Sequence, residues 1–144
     1  MKGEDEITGQ YSDLADEAVR LKLVSNYDNQ LMYYIYESGR DDIVGYCDLR
    51  IGHSPYLYYY GNIGYRIKPE YQGHNYALHA VRLLLNVARS IDEQYLILTV
   101  SPDNTPSVRT IEKTGARYLK TVRVPLWHPL YHNERVKMIY RIDL

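Results

Sequence analysis

Apolar and polar residues alternate strictly in Val19-Arg20-Leu21-Lys22-Leu23, which predicts a half-buried strand, with a helix as the alternative. Residues 31–37 and 43–51 are rich in β-branched and aromatic side chains, and the polar Ser38-Gly39-Arg40-Asp41-Asp42 between them predicts a hairpin turn. His53-Ser54-Pro55 interrupts the pattern, residues 58–68 resume it as a further strand, and Pro69 ends that strand. The period then changes. Ala77, Val81, Leu84, Leu85 and Ala88 fall on one face of a helix over 75–90, opposite a polar stripe of His79, Arg82, Asn86 and Arg89. Residues 95–101 are apolar on both faces, as in a strand buried between layers. Strand, helix and strand in this order predict a crossover joining two parallel strands. A short helix follows, with Pro106 in its first turn and Gly115 just past its end. Strands over 117–124 and 135–142 flank a loop containing Pro and His.

Composition narrows the class. At 144 residues the chain is expected to form one domain, 1–144, with 1–16 as a loose start because apolar residues are few there. Seventeen basic and 18 acidic residues exert no global pull toward nucleic acid or membrane. The charge is nevertheless uneven: residues 1–17 hold one Lys against six carboxylates, whereas residues 109–144 hold eight Lys and Arg against three acids. That is either an acidic tail with solvated basic strands or an attraction for an anionic ligand. A lone Cys47 excludes an internal disulfide, no apolar run reaches membrane-spanning length and no signal peptide is visible, so a cytoplasmic location is expected. The 17 Tyr, single Trp and absent Phe are read mainly as sheet and rim aromatics.

The segment Tyr71-Gln72-Gly73-His74-Asn75-Tyr76-Ala77 joins a strand to the long helix, where backbone N–H groups and a helix N-terminus converge. Gly73 permits conformations closed to other residues, and Asn75 tolerates the left-handed region or serves as an N-cap. Such a junction favours bound phosphate. A dinucleotide fingerprint needs three spaced glycines and a P-loop needs Gly-Lys-Ser/Thr; neither is present.

Gln72-Gly73-His74-Asn75-Tyr76-Ala77 resembles the Q/R-x-x-G-x-G/A signature of the GNAT N-acetyltransferase superfamily. About thirty residues on, Asn104-Thr105-Pro106-Ser107 and then Ile111-Glu112-Lys113-Thr114-Gly115-Ala116 resemble its second motif. The resemblance implies an α/β (α+β) fold: a mixed, mostly antiparallel sheet with a βαβ CoA-binding unit and splayed parallel strands. It implies acetyl-CoA, or a related acyl-CoA, as cosubstrate, with no metal. The pyrophosphate would lie on the amides of Gln72, Gly73, His74, Asn75, Tyr76 and Ala77. The pantetheine arm would pair with backbone at Tyr65 and Ile67, with an N–H near Ile67 as oxyanion donor. Asn104 would bind the arm and Ser107 would lie beside the sulfur, although both residue types also suit a turn or a helix cap.

Two departures from the family pattern concern the chemistry. Asn75 replaces the second glycine, and Ile111 stands where many members carry a Tyr general acid. Gly61-Asn62-Ile63 also lacks the carboxylate that many relatives place there. Asn62 could hold a water but is no base. The catalytic residues are therefore unassigned, with Ser107, His53, Tyr60, His128 and His132 as candidates. Relatives usually wall the acceptor site with helices after the first strand, whereas only about seven residues are available here. The run Tyr56-Leu57-Tyr58-Tyr59-Tyr60 and the Trp127-His128 loop form either an acceptor rim or packing at the sheet ends. The expected activity is transfer of acetyl to a primary amine (a small molecule or a peptide N-terminus) by direct attack in a ternary complex. A CoA-binding module without transfer activity is the alternative, and a homodimer is left open.

Overall fold

The computed structural model describes residues 9–144. In chain order the elements are β1 (Asp13–Ala15), β2 (Val19–Tyr27), β3 (Gln30–Glu37), β4 (Ile43–Arg50), α1 (Pro55–Tyr60), β5 (Ile63–Ile67), α2 (Tyr76–Ser90), β6 (Tyr95–Val100), α3 (Thr105–Lys113), β7 (Arg117–Arg123) and β8 (Val136–Asp143). Short 3-10 helices occupy Pro69–Tyr71 and Pro129–His132. Strands β1 to β5 form one antiparallel sheet in sequence order, and β6, β8 and β7 form a second with β8 in the centre.

The two sheets meet at their edge strands, where the residue just before β5 bonds to the middle of β6. The N–H of Asn62 donates to the Ile97 carbonyl at 2.7 Å, and the Ile97 N–H donates to Asn62 Oδ1 at 2.9 Å. From that joint Ile63, Gly64 and Tyr65 on one side and Leu98, Thr99 and Val100 on the other line the same cleft. The strands therefore run in the same direction and diverge as they go. The expected splayed parallel pair is present.

Helix α2 packs into the angle between the sheets. Val81, Leu84, Leu85 and Ala88 are buried among Leu21, Tyr33, Ile35, Leu49, Leu96 and Leu98, and Ala77 is half-buried. Burying an apolar stripe of this kind, at roughly 1.5–3 kcal/mol per large side chain, holds a helix whose own propensity would be marginal in water. Among the described residues, no helix is long and apolar enough to cross a membrane.

Three expectations need correction. Residues 58–68 are not one strand: Pro55–Tyr60 is helical and only Ile63–Ile67 is extended. Ser54 caps that helix by accepting from the Leu57 N–H at 3.1 Å, Pro55 occupies its first turn, and Gly61 ends it at φ 81°. The β propensity of the tyrosine run is overridden by these end signals. The expected loose start is also ordered from Tyr11 onward. β1 pairs with β2, and Tyr11 is buried with its carbonyl accepting from the Tyr33 hydroxyl at 2.8 Å; residues 1–8 lie outside the described residues. Finally, the separation of about seven residues after the first strand shrinks to two. Strands β2 and β3 continue into it and turn at Asp28 and Asn29, both at positive φ, as a tight hairpin requires.

Candidate active site

Two clefts open from the diverging strands. One, of about 590 Å³, lies between the loop at 71–77 and helix α3 and is lined by Tyr65, Ile67, Gln72, Gly73, Asn75, Tyr76 and Ala77, with Asn104, Ser107 and Lys113 opposite. The other, of about 320 Å³, lies inside the wedge and is lined by Arg50, Tyr60, Tyr65, Thr99, Ser101, Ile111, Glu134 and Lys137 among others. Tyr65, Asn104 and Ser107 line both and mark the passage between them.

The first cleft is built to receive an anion. Gly73 has φ 94°, and a Cβ added there would meet nothing within 4 Å, so its position faces open space. Asn75 adopts the left-handed conformation (φ 61°, ψ 23°) as the N-cap of α2, yet its side chain makes no capping bond; Oδ1 instead accepts from Lys113 Nζ at 3.0 Å. The first intrahelical bond reaches Asn75 from the His79 N–H, so the N–H groups of Tyr76, Ala77 and Leu78 have no partner within the helix. A 15-residue helix thus presents uncapped amides and its positive dipole end to the cleft, with a lysine across it. His74 does not line the cleft; it is exposed and stacks on Tyr76 with ring centroids 5.3 Å apart. Tyr76 is in turn tied to β3, its hydroxyl donating to the Glu37 carboxylate.

Strand β5 offers the second half of the cradle. Arg50 N–H donates to the Asn62 carbonyl and Lys68 N–H to the Val44 carbonyl, so the even-numbered residues of β5 pair with β4. By alternation the main-chain groups of Tyr65 and Ile67 point away from β4, into the wedge. Gln72 Nε2 takes the Ile67 carbonyl at 3.0 Å, which holds the loop in shape and leaves the Ile67 N–H facing the cleft. Asn104 acts as the cap anticipated as its alternative role, with Oδ1 accepting from the Ser107 N–H at 3.3 Å, and the residue lines the cleft. The Ser107 carbonyl accepts from the Tyr65 hydroxyl at 3.4 Å. Burial raises the Tyr65 pKa and outweighs the lowering by its contacts with Ser107 and Thr110.

The catalytic candidates separate clearly. Tyr60 lines the inner cleft, with its ring 4.6 Å from that of His128; burial first, and its contact with Tyr56 second, raise its pKa. Ser107 lines both clefts. None of the three histidines lines the inner cleft. His53 stacks on Tyr95 at 4.1 Å and pairs with Glu93 at 3.4 Å, lining a separate cleft behind the Asn62–Ile97 joint. His132 is exposed at the end of a 3-10 turn and lines none of the clefts described. His128 is 1% exposed; its Nδ1 accepts from the Leu130 N–H at 3.1 Å. With Nδ1 accepting, Nε2 is placed to donate to the Tyr56 carbonyl at 2.8 Å, so both ring nitrogens are occupied. The aromatic run around it packs the sheet end: Tyr56, Tyr59 and Tyr60 all contact the His128 ring.

Asn62 is not a water holder. It is 1% exposed, and its Nδ2 donates to the carbonyls of Arg50 and Gly52, both at 2.8 Å. Ile111, at the position where relatives carry a tyrosine, is 3% exposed and closes the inner cleft with an apolar wall. Sequence reasoning missed Arg50 and Glu134. Arg50 Nε binds Asp48 Oδ2 at 2.8 Å, while Nη1 reaches the carbonyls of Tyr60 and Gly61 at 3.1 Å. This pair lies across Gly64, where a Cβ would come within 2.5 Å of Asp48 and 2.6 Å of Arg50. The glycine is required for that close approach. Glu134 accepts from Ser101 Oγ at 3.1 Å and pairs with Lys137 at 2.7 Å. No local motif announces either residue, because the wedge alone brings them together.

A wedge between two edge strands, with an anion-receiving loop at its mouth, is the architecture of an acyl-CoA acetyltransferase fold. Residues 5–117 match the acetyltransferase (GNAT) domain family, and the chain belongs to that family. The uncharacterised N-acetyltransferase YnaD of Bacillus subtilis (strain 168) is 33% identical over an alignment of 75 residues that covers 49% of this chain and 44% of YnaD. The solved acetyltransferase (GNAT family) from Bacillus anthracis is 25% identical with a TM-score of 0.63, covering 78% of this chain and 65% of that one. The microcin C7 self-immunity acetyltransferase MccE, solved with acetyl-CoA and AMP, shares the fold at 17% identity and a TM-score of 0.65, over 81% of this chain and 62% of its own. The chain thus spans less than two thirds of each of these relatives.

Proposed function

We propose that this protein transfers an acetyl group from acetyl-CoA to a primary amine by direct attack in a ternary complex. One observation carries the reading. The unpaired edge of β5 and the uncapped start of α2 face the same cleft, which suits a ligand with amides at one end and a pyrophosphate at the other. The pyrophosphate sits on the amides of residues 72–77 with Lys113 beside it. The pantetheine arm follows Tyr65 and Ile67, and the thioester lies at the passage beside Asn104 and Ser107, open to the amine from the inner cleft. The Ile67 N–H, on the outer side of that passage, is the oxyanion donor as the amine attacks. Cys47 is fully buried and burial pushes its thiol pKa up, which argues against a covalent acyl-enzyme.

A second reading, a CoA-binding module without turnover, is favoured by one observation: an apolar Ile111 where a proton donor to the leaving sulfur is usual. Calorimetry combined with a CoA-thiol release assay separates the two. Acetyl-CoA binds saturably, and Gly73→Trp weakens binding at least about tenfold; the positive φ at residue 73 strains the new side chain and lowers the melting temperature somewhat, so circular dichroism checks that the fold is kept. No heat at millimolar acetyl-CoA rejects both readings, whereas binding without thiol release from any amine leaves only the second.

A further inference from the structure

We propose that Glu134 is the catalytic base: it receives the acceptor's ammonium in the inner cleft and removes its proton. This rests on the acetyltransferase reading above. Glu134 lies in the loop before β8, where its N–H donates to the Leu130 carbonyl at 2.7 Å. Its carboxylate is fixed from two sides. Ser101, directly after β6, donates to Oε1 at 3.1 Å, and Lys137 on β8 holds Oε2 at 2.7 Å. A carboxylate offers about four lone-pair sites, so acceptor capacity remains for a third donor. Asn104 and Ser107, at the passage from the CoA cleft, line the same space as this carboxylate.

The chemistry of the acceptor requires such a group. An α-amine, with a pKa of about 7.7–8.0, is largely protonated at neutral pH, and a lysine-type amine, near about 10.4, almost wholly so. An ammonium has no lone pair with which to attack. The other titratable groups lining the cleft are Arg50, Lys137, Tyr60 and Tyr65; among them is no second carboxylate and no imidazole. Asp48 does not line the cleft: it is buried and held by Gln30 at 2.7 Å and Arg50 at 2.8 Å. Glu134 thus supplies from the opposite sheet the carboxylate that Gly61-Asn62-Ile63 lacks.

In the step itself a proton passes from the ammonium to Glu134, and the freed nitrogen pair forms the C–N bond at the thioester carbonyl. The C–S bond then breaks with its electron pair on sulfur. The second N–H proton goes to that sulfur, directly or through water, giving amide and CoA thiol. Glu134 returns its own proton to solvent.

The test follows CoA-thiol release from acetyl-CoA with glycinamide, spermidine and a short peptide with a free N-terminus, for wild type and Glu134→Gln across pH 6 to 10. Glutamine can keep both contacts, its carbonyl facing Lys137 and its amide donating to Ser101. The expected result is a kcat about 100-fold lower at neutral pH, with unchanged acetyl-CoA affinity. The gap should narrow as pH approaches the amine's own pKa, because the free amine then forms without help. Glu134→Asp, which keeps a carboxylate, should retain the wild-type shape of the pH profile at a lower rate. A Gln variant within about threefold of wild type, or a gap constant with pH, overturns the assignment while leaving the acetyltransferase reading intact. An Asp variant with the Gln profile overturns it too. Wild type inactive with all three amines rejects the acetyltransferase reading, and this proposal with it.

Discussion

The wedge between β5 and β6 has a closed end and an open end made from the same two strands, and they treat backbone polarity in opposite ways. At the closed end the Asn62 side chain takes the place of a missing strand, bridging Ile97, Arg50 and Gly52 and leaving no site for solvent. At the open end, three to five residues further along, the main chain of Tyr65 and the N–H of Ile67 face a cleft. Among the described residues no buried side-chain nitrogen or oxygen lacks a hydrogen-bond partner. The main-chain groups of Tyr65 and Ile67 that β4 leaves unused face a cleft that water or a ligand can reach. A buried amide without a partner is costly, so a sheet split in two persists only if one end is sealed and the other stays wet.

The largest effect should come from unsealing the closed end. Asn62→Ala orphans one buried N–H and two carbonyls and should cost about 3 kcal/mol in urea denaturation. An unchanged midpoint would mean the joint does not hold the sheets together. Ile67→Pro does the reverse. Proline removes a cleft-facing N–H, on an edge strand where no ladder bond depends on it. We expect kcat to fall about 100-fold with only a modest drop in melting temperature from the trimmed, partly buried side chain. A normal kcat would remove the oxyanion role. The smallest effect is expected at the mouth: Asn75→Gly releases Lys113 and relieves a positive φ, shifting acetyl-CoA affinity by less than about threefold in calorimetry, since the Lys113–Asn75 contact is exposed.

The open end was largely legible in the sequence and the inner cleft was not. Gly73 and Asn75 announce their backbone angles locally, and the periodicity of α2 needs no partner to be read. Helix α1 was hidden by a conflict between levels, a tyrosine run with β propensity enclosed by the helical end signals of Ser54, Pro55 and Gly61. His53, His128 and His132 share a side chain but not a site, because burial, tautomer and neighbours are set by tertiary contacts. Glu134 and Lys137 sit three residues apart as an unremarkable charged pair, and acquire meaning only when β8 is laid beside β6.

The Asp28–Asn29 turn has a consequence for how this scaffold can change. Both residues line a cleft of about 430 Å³ with Tyr56, Arg50 and Tyr60, and the last two also line the inner cleft. Each doubling in length of a surface loop costs only about 0.6 kcal/mol in closure entropy. A segment inserted at this turn would therefore roof the cleft beside Arg50 and Tyr60, on the side from which we propose the amine enters, without touching the loop at 71–77. If acceptor choice is set there, this hairpin is where a new preference could be grafted.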